Sequence, residues 1–191
     1  MTPDASSSAD VAIRAEKTED RPRVRQVHAL AFGDGDRVPD LVDLLCDTAA
    51  PLAPLGLVAT VDGEVIGHVL LSHSRLDAPR RIVDVWVLSP LGVDPAHQGR
   101  GVGTALVAAA LDAARSSGVP LVFLEGSPRY YGPRGFEQAS AVGFRAPSLR
   151  IPDVAFQVAR MPSHEPWMTG TLVYSDPFWA LDCVGLRDPA A

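Results

Sequence analysis

Gln98–Gly99–Arg100–Gly101–Val102–Gly103 sets three glycines at alternating positions, and this is the stretch whose residue types and spacing could do chemistry. It lies where an apolar run ending Leu91–Gly92–Val93 breaks at Asp94–Pro95 and a periodic apolar segment begins, which reads as strand, tight loop and helix. The first turn of a helix presents unpaired backbone N–H groups and the positive end of its dipole, so it attracts phosphate. Glycines place no side chain between an anion and those donors, and Arg100 adds a mobile positive charge. The same glycines would equally serve a tight turn or a close helix–sheet contact.

Two nucleotide-binding patterns fail on spelling. A P-loop needs Lys and then Ser or Thr after its last glycine, but Gly103 is followed by Thr104 and Ala105. A dinucleotide fingerprint needs a glycine three residues beyond its second; Gly101 leads to Thr104 and Gly103 to Leu106. The segment after the loop is well patterned as a helix. Val102, Leu106, Val107, Ala110, Leu111 and Ala114 recur at helical spacing, with Thr104, Asp112 and Arg115 largely outside that set.

The loop resembles the pyrophosphate loop of the GNAT superfamily of acyl-CoA-dependent N-acyltransferases: Gln or Arg, two residues, Gly, one residue, then Gly or Ala. A second element, Glu125–Gly126–Ser127–Pro128–Arg129–Tyr130–Tyr131 followed by Gly135–Phe136, is similar to the family's later strand and short helix with its Tyr-x-x-x-Gly-Phe signature. The spelling from Tyr131 through Phe144 resembles a bacterial branch whose substrates are poorly defined. The resemblance covers Val11 to about Met161 and implies an α/β fold: a central mixed α+β sheet, splayed in the middle and flanked by helices. It implies acetyl-CoA as cosubstrate, no metal, and direct attack by a primary amine in a ternary complex. Leu91, Gly92 and Val93 would meet the pantetheine arm, and Gln98, Gly99, Arg100, Gly101, Val102, Gly103 and Thr104 the pyrophosphate. Tyr131 would be the acid for the departing thiolate, with Glu125 and Asp84 as further candidates to tune or relay a proton. Gly132–Pro133 departs from a regular helical spelling and leaves open whether Tyr130 or Tyr131 faces the sulfur. Two other readings stay open: an acyl-CoA-binding regulatory module with little catalysis, and a structural protein reusing the fold.

The elements that must position these residues follow in chain order. Residues 1–10 read as a disordered tail, 11–161 as the domain and 162–191 as an extension packed on the domain or continuing it. Val11–Ile13 is a short strand; Thr18 could cap a helix carrying Val24, Val27 and Ala31, with Pro22 near its start. Leu41, Leu44 and Leu45 suggest a second helix after Pro39. The resemblance puts the Phe32–Arg37 segment between them over the acceptor. Leu57–Val61 and Glu64–Leu71 flank Asp62–Gly63, a hairpin turn signal. His68 and His73 fall on opposite faces of that strand and share no metal site. Pro90 prevents uniform pairing of the strand that feeds the glycine loop. Leu121–Leu124 is a buried strand reached by a helical crossover, and so parallel to that strand. Ala155–Ala159 and Thr171–Tyr174 complete the strands, and the Trp167–Tyr174 and Pro177–Trp179 clusters could cap the acceptor cleft, form a homodimer contact or simply pack.

Composition narrows the class. With 47% hydrophobic and 21% charged residues and no apolar run long enough to cross a bilayer, the chain reads as a globular domain without a membrane role. A formal net charge of -6 gives no reason to expect nucleic acid and suits a cationic or amine substrate. Cys46 and Cys183 form neither a metal spacing nor a disulfide framework nor a histidine-assisted nucleophile. A reducing cytoplasm is the default setting.

Overall fold

Asp62 and Gly63 take φ of 50° and 83°, the left-handed pair that a two-residue hairpin requires, and they join β2 (Leu55–Val61) to β3 (Glu64–Asp77). The computed structural model describes residues 10–187, so nearly all of the expected tail at 1–10 lies outside the described residues. β1 (Ala12–Ala15) flanks β2, and β4 (Ile82–Val93) lies antiparallel to β3 on its other side. β5 (Leu121–Glu125) is parallel to β4, followed by antiparallel β8 (Phe156–Arg160) and the two-residue β6 (Glu137–Gln138). β9 (Gly170–Val173) pairs with the far end of β3 and with β7 (Phe144–Arg145). Among the described residues the result is a mixed sheet of nine strands.

Helices cover both faces. α1 (Arg21–Phe32) and α2 (Arg37–Asp47) bury Val24, Val27, Leu41, Val42 and Leu45 on one face, joined there by Phe178 of α5 (Asp176–Ala180). α3 (Val102–Ser116) packs on the other face, and its buried residues are the six of the periodic set read from the sequence. Full burial of a side chain such as Leu106 contributes roughly 2 kcal/mol.

Two local expectations are corrected. Thr18 opens a 3-10 turn, Thr18–Asp20, and the α-helix starts only at Arg21. The turn is held by the Asp20 carboxylate, which accepts from the Lys17 N–H at 2.8 Å and from Arg14 at 2.6 and 2.9 Å; the Arg14 hydrogen bond, foremost, holds its carboxyl at about 2. In α2 the buried stripe runs through Val38, Leu41, Val42 and Leu45, while Leu44 is 44% exposed, because Leu44 falls outside the stripe that 3.6-residue spacing aims at the sheet.

The feature that builds the site is the divergence of β4 from β5. Their ladder holds only Trp86 opposite Val122 and Val87 opposite Phe123. Beyond Val87, β4 stays on β3 through Val93 while β5 stays on β8 through Glu125. Leu71 faces Leu88 and Val69 faces Leu91, so β4 holds one extra residue at the cis Ser89–Pro90 step, a bulge that bends the strand. Pro90 has no N–H to donate, as expected of a strand that loses a neighbour there. Parallel pairing thus appears where the helical crossover predicts it, and the splayed ends where the resemblance implies them.

Candidate active site

The loop between β4 and α3 is braced from both sides. The Asp94 carboxylate accepts from the Ala96 N–H at 3.0 Å and from Arg23 Nη2 at 2.7 Å, and these two donors, Ala96 foremost, pull its carboxyl below the usual range. Arg23 also donates from Nε to the Val65 carbonyl at 3.0 Å, tying α1 to the end of the hairpin. Gln98 donates from its side-chain amide to the Val93 carbonyl at 3.0 Å. Gly101 caps α3 with φ of 84°, a conformation in which an L side chain is strained. Among the described residues the backbone N–H groups of Gly99 to Thr104 have no acceptor, so the turn presents a cluster of free donors at the positive end of a fifteen-residue helix.

These donors open onto a cavity of about 640 Å3. Of the residues expected to hold the cofactor, Leu91, Val93, Gln98, Gly99, Gly101, Val102, Gly103 and Thr104 line it. Gly92 and Arg100 do not. Gly92 turns to the opposite face, where a Cβ would sit 2.7 Å from His28 Nδ1, because strand alternation sends it away from Leu91 and Val93. Arg100 is exposed, its side chain directed to solvent from between two left-handed glycines.

The cation at this cavity is instead Arg134, which the sequence reading missed. Its guanidinium lies 3.8 Å from the centre of the Tyr130 ring and donates to Thr104 Oγ1 at 2.7 and 3.1 Å and to the Tyr130 carbonyl. The signal was present in Gly132–Pro133–Arg134–Gly135, since the 3-10 turn Gly132–Arg134 folds back on α4 (Pro128–Tyr131). That turn also gives the two tyrosines different surroundings. Tyr130 reaches the start of α3, where a Cβ on Gly103 would meet its hydroxyl at 2.4 Å. Tyr131 sits deeper, edge-on to Tyr130 and Phe136, and its hydroxyl has no hydrogen-bond partner among the described residues. Burial foremost pushes its phenol up to about 12.

A second cavity of about 580 Å3 lies on the other side of Tyr131. Phe32, Leu91 and Tyr131 line both cavities, so the two meet at these three side chains. The Phe32–Arg37 segment contributes Phe32, Asp34 and Arg37 to the second cavity, with Arg37 paired to Asp34 at 3.0 Å. The C-terminal extension supplies Tyr174, Phe178 and Asp182; Arg150 and Arg187 hold Asp182 at 3.0 and 2.5 Å.

Glu125 is at the wall of this second cavity. Its Oε1 accepts from the Tyr174 hydroxyl at 2.8 Å and its Oε2 from the Gly185 N–H at 3.0 Å. Burial raises its carboxyl against these two hydrogen bonds and Arg150. Cys183 lines the same cavity, with its thiol raised by burial and placed 3.5 Å from the Leu181 carbonyl.

Asp84 is a correction. It stands near the start of β4, far from Leu91 at a rise of about 3.3 Å per residue, and its Oδ1 bonds His73 Nε2 at 2.7 Å. It lines neither cavity. His68 and His73 have different partners, and among the described residues no group of three or more His, Cys, Asp or Glu is placed to hold a metal ion. His68 instead joins a buried chain: its Nε2 bonds Glu16 at 3.2 Å and its Nδ1 bonds His28 Nε2 at 2.8 Å. Burial, and then His68, hold the His28 ring well below its usual range.

Comparison with known proteins agrees with this geometry. The family model described as "Acetyltransferase (GNAT) family" matches residues 21–136. The chain is 30% identical to the uncharacterized N-acetyltransferase YjhQ of Escherichia coli K12, over 83% of this chain and 88% of that one. A mycothiol acetyltransferase of Sanguibacter keddieii is 36% identical over 72% of this chain, which spans only 47% of that protein. Among solved structures, the GNAT family N-acetyltransferase YhbS of E. coli, in complex with CoA, superposes with a TM-score of 0.76 at 30% identity, covering 90% of this chain and 93% of that one. A GNAT family acetyltransferase of Brucella melitensis in complex with acetyl-CoA gives 0.71 at 28% identity, over 89% and 99%. With a braced glycine turn at a helix start, a strand pair that opens beside it and a family model spanning both, the chain belongs to the GNAT family of acetyltransferases.

Proposed function

We propose that this protein transfers an acetyl group from acetyl-CoA to a primary amine, by direct attack in a ternary complex. The observation that carries the reading is the meeting of two cavities at Phe32, Leu91 and Tyr131: one has the chemistry for a pyrophosphate and the other has room for an acceptor. The cosubstrate supplies an activated thioester carbonyl. The free N–H groups of Gly99–Thr104 and the Arg134 guanidinium fit its pyrophosphate, and the edge of β4 beyond Val87 leaves backbone groups for its amide-bearing arm.

Tyr131 keeps its proton at neutral pH because its phenol is pushed up to about 12. Full transfer from that phenol to a thiolate with an ordinary pKa near 8.5 would run uphill by about 3.5 units, about 5 kcal/mol. Its contribution is therefore a hydrogen bond donated to the sulfur as negative charge develops there. Glu125 orders the acceptor wall through Tyr174 and Gly185, and each of its oxygens keeps a second lone pair with which to draw a proton from the amine, directly or through water. The formal charge of -6 favours approach of a cationic amine.

The test is incubation of the protein with acetyl-CoA and a panel of primary amines, alcohols and thiols, read by product mass. N-acetylated products are expected. Products formed only on hydroxyl or thiol acceptors, or none at all, would overturn the assignment.

A further inference from the structure

A third cavity, of about 240 Å3, lies in a break in the sheet. β2 stops pairing with β3 at Leu71 and β9 starts only at Arg75, so Ser72, His73 and Ser74 have no strand beside them on that edge. All three residues pair with β4 on the other edge, and because successive residues of a strand turn their N–H and C=O to alternate sides, part of the main-chain groups of this stretch faces the break, where such groups require partners when buried. Ser72 and Ser74 project to one face, the face of Leu70 and Leu76, where Leu45 and Tyr174 also belong to the core and line the cavity. Both serines are 1% exposed.

Their hydroxyls are the second observation. Ser72 Oγ, Ser74 Oγ and Ser175 Oγ are buried and have no hydrogen-bond partner among the described residues, and all three serines line this one cavity. Ser175 stands at the N-cap of α5 without making the side-chain bond usual there. Buried hydroxyls left unpaired are destabilising, and three around one space mark it as built for something that pairs them.

The chemistry of the lining defines the occupant. Hydroxyls and strand-edge groups offer both donors and acceptors; Arg75 and Asp176 offset one another in charge; Pro51, Pro54 and Val173 add apolar wall. At about 30 Å3 per water, the space takes roughly eight non-hydrogen atoms. The geometry points to a second small-molecule site in this sheet break, taking a small uncharged amide whose N–H and C=O pair with the β3 edge and the three serines. The site also communicates with the acceptor cavity. Tyr174 lines both spaces, and its hydroxyl holds Glu125, which in turn accepts from the Gly185 N–H.

This site is independent of the acyl-transfer reading and is tested without turnover. Isotope-labelled wild-type protein is titrated with N-acetylglycinamide, and backbone amide resonances are followed by NMR. Saturable shifts are expected at Ser72–Arg75 and Val173–Asp176, with a smaller shift at Gly185. Ser72→Ala and Ser175→Ala are expected to weaken binding at least threefold each. Ser175 lies outside the sheet, so S175A keeps the test decisive if S72A does not fold. N-methylacetamide, with a single amide, separates the demand of an N-acylated small molecule from the two-amide pattern of a peptide. Non-saturable shifts, or shifts confined to the glycine loop or the acceptor cavity, would overturn the site. Saturable shifts at the break with Gly185 unmoved would overturn the communication through Tyr174.

Discussion

Replacing Tyr131 by Phe removes one oxygen from the point where the two cavities meet and leaves the ring against Tyr130 and Phe136, 4.8 and 5.8 Å away between centres. That hydroxyl bonds no described residue, so the variant should fold with stability within about 1 kcal/mol of wild type. A hydrogen bond to a charged group contributes roughly 1.5–3 kcal/mol, and each 1.36 kcal/mol of barrier is tenfold in rate, so turnover should fall about 10- to 150-fold. CoA affinity should stay within about threefold, because the free N–H groups of the loop are untouched. The phenol keeps its proton to about 12, so wild-type turnover should show no descending limb from Tyr131 below pH 10. Thiol release and calorimetric CoA binding, measured on wild type, Tyr131→Phe and Tyr130→Phe in the same buffers, separate the roles. Tyr130 packs on Gly103 beneath Arg134, so Y130F should change CoA affinity more than turnover. Unchanged turnover in Y131F, or a selective turnover loss in Y130F, would refute the reasoning.

Three further outcomes follow from the same geometry. Gly101→Glu puts a strained side chain with a negative charge at φ of 84° in the donor cluster, and calorimetry should show CoA binding weakened more than tenfold. Glu125 has a folded-state carboxyl raised above its ordinary 4.5, chiefly by burial, so the native state holds its proton more tightly than the unfolded state does. Its contribution to stability therefore falls as pH rises from 4.5 through the raised value; Glu125→Gln should abolish that component in melting curves and raise the acceptor KM while leaving CoA affinity unchanged. His28 is held neutral, its ring lowered well below 6.5 by burial and then by His68, so the unfolded state takes the proton first as pH falls. One such histidine costs about 1.4 kcal/mol of stability per pH unit below 6.5, and urea unfolding of wild type against His28→Gln at pH 6.5 and 5.5 should show the difference.

Much of the fold was legible because its signals are local. Asp62–Gly63, the six apolar positions of α3 and Pro90 each act within a few residues, and each produced the turn, helix face or interrupted strand that its chemistry dictates. What the sequence hid depends on contacts between distant residues. Glu125 meets Tyr174 across 49 positions and Gly185 across 60, so nothing near Glu125 announces that the extension closes over it. His28 and His68 are 40 apart, and spacing along one strand does not announce a partner on a helix. Asp84 shares a strand with the residues that lead into the glycine loop, but residue order does not reveal that a twelve-residue strand puts it at the wrong end. Arg100 and Arg134 show the same limit: the arginine inside the motif faces solvent, and the one three residues beyond Tyr131 folds back onto the loop.

Direct transfer between two joined cavities is tested most directly by intact-mass measurement with isotope-labelled acetyl-CoA, first alone and then with an amine that the panel identifies as an acceptor. The geometry predicts an unchanged protein mass in the first step and labelled N-acetyl amine in the second, since the Cys183 thiol in the acceptor cavity is raised by burial and by the neighbouring carboxylates, which favours the unreactive thiol over the thiolate, and its hydrogen bond goes to the Leu181 carbonyl. An acetyl group that appears on the protein without acceptor, and then passes to the amine, would contradict it.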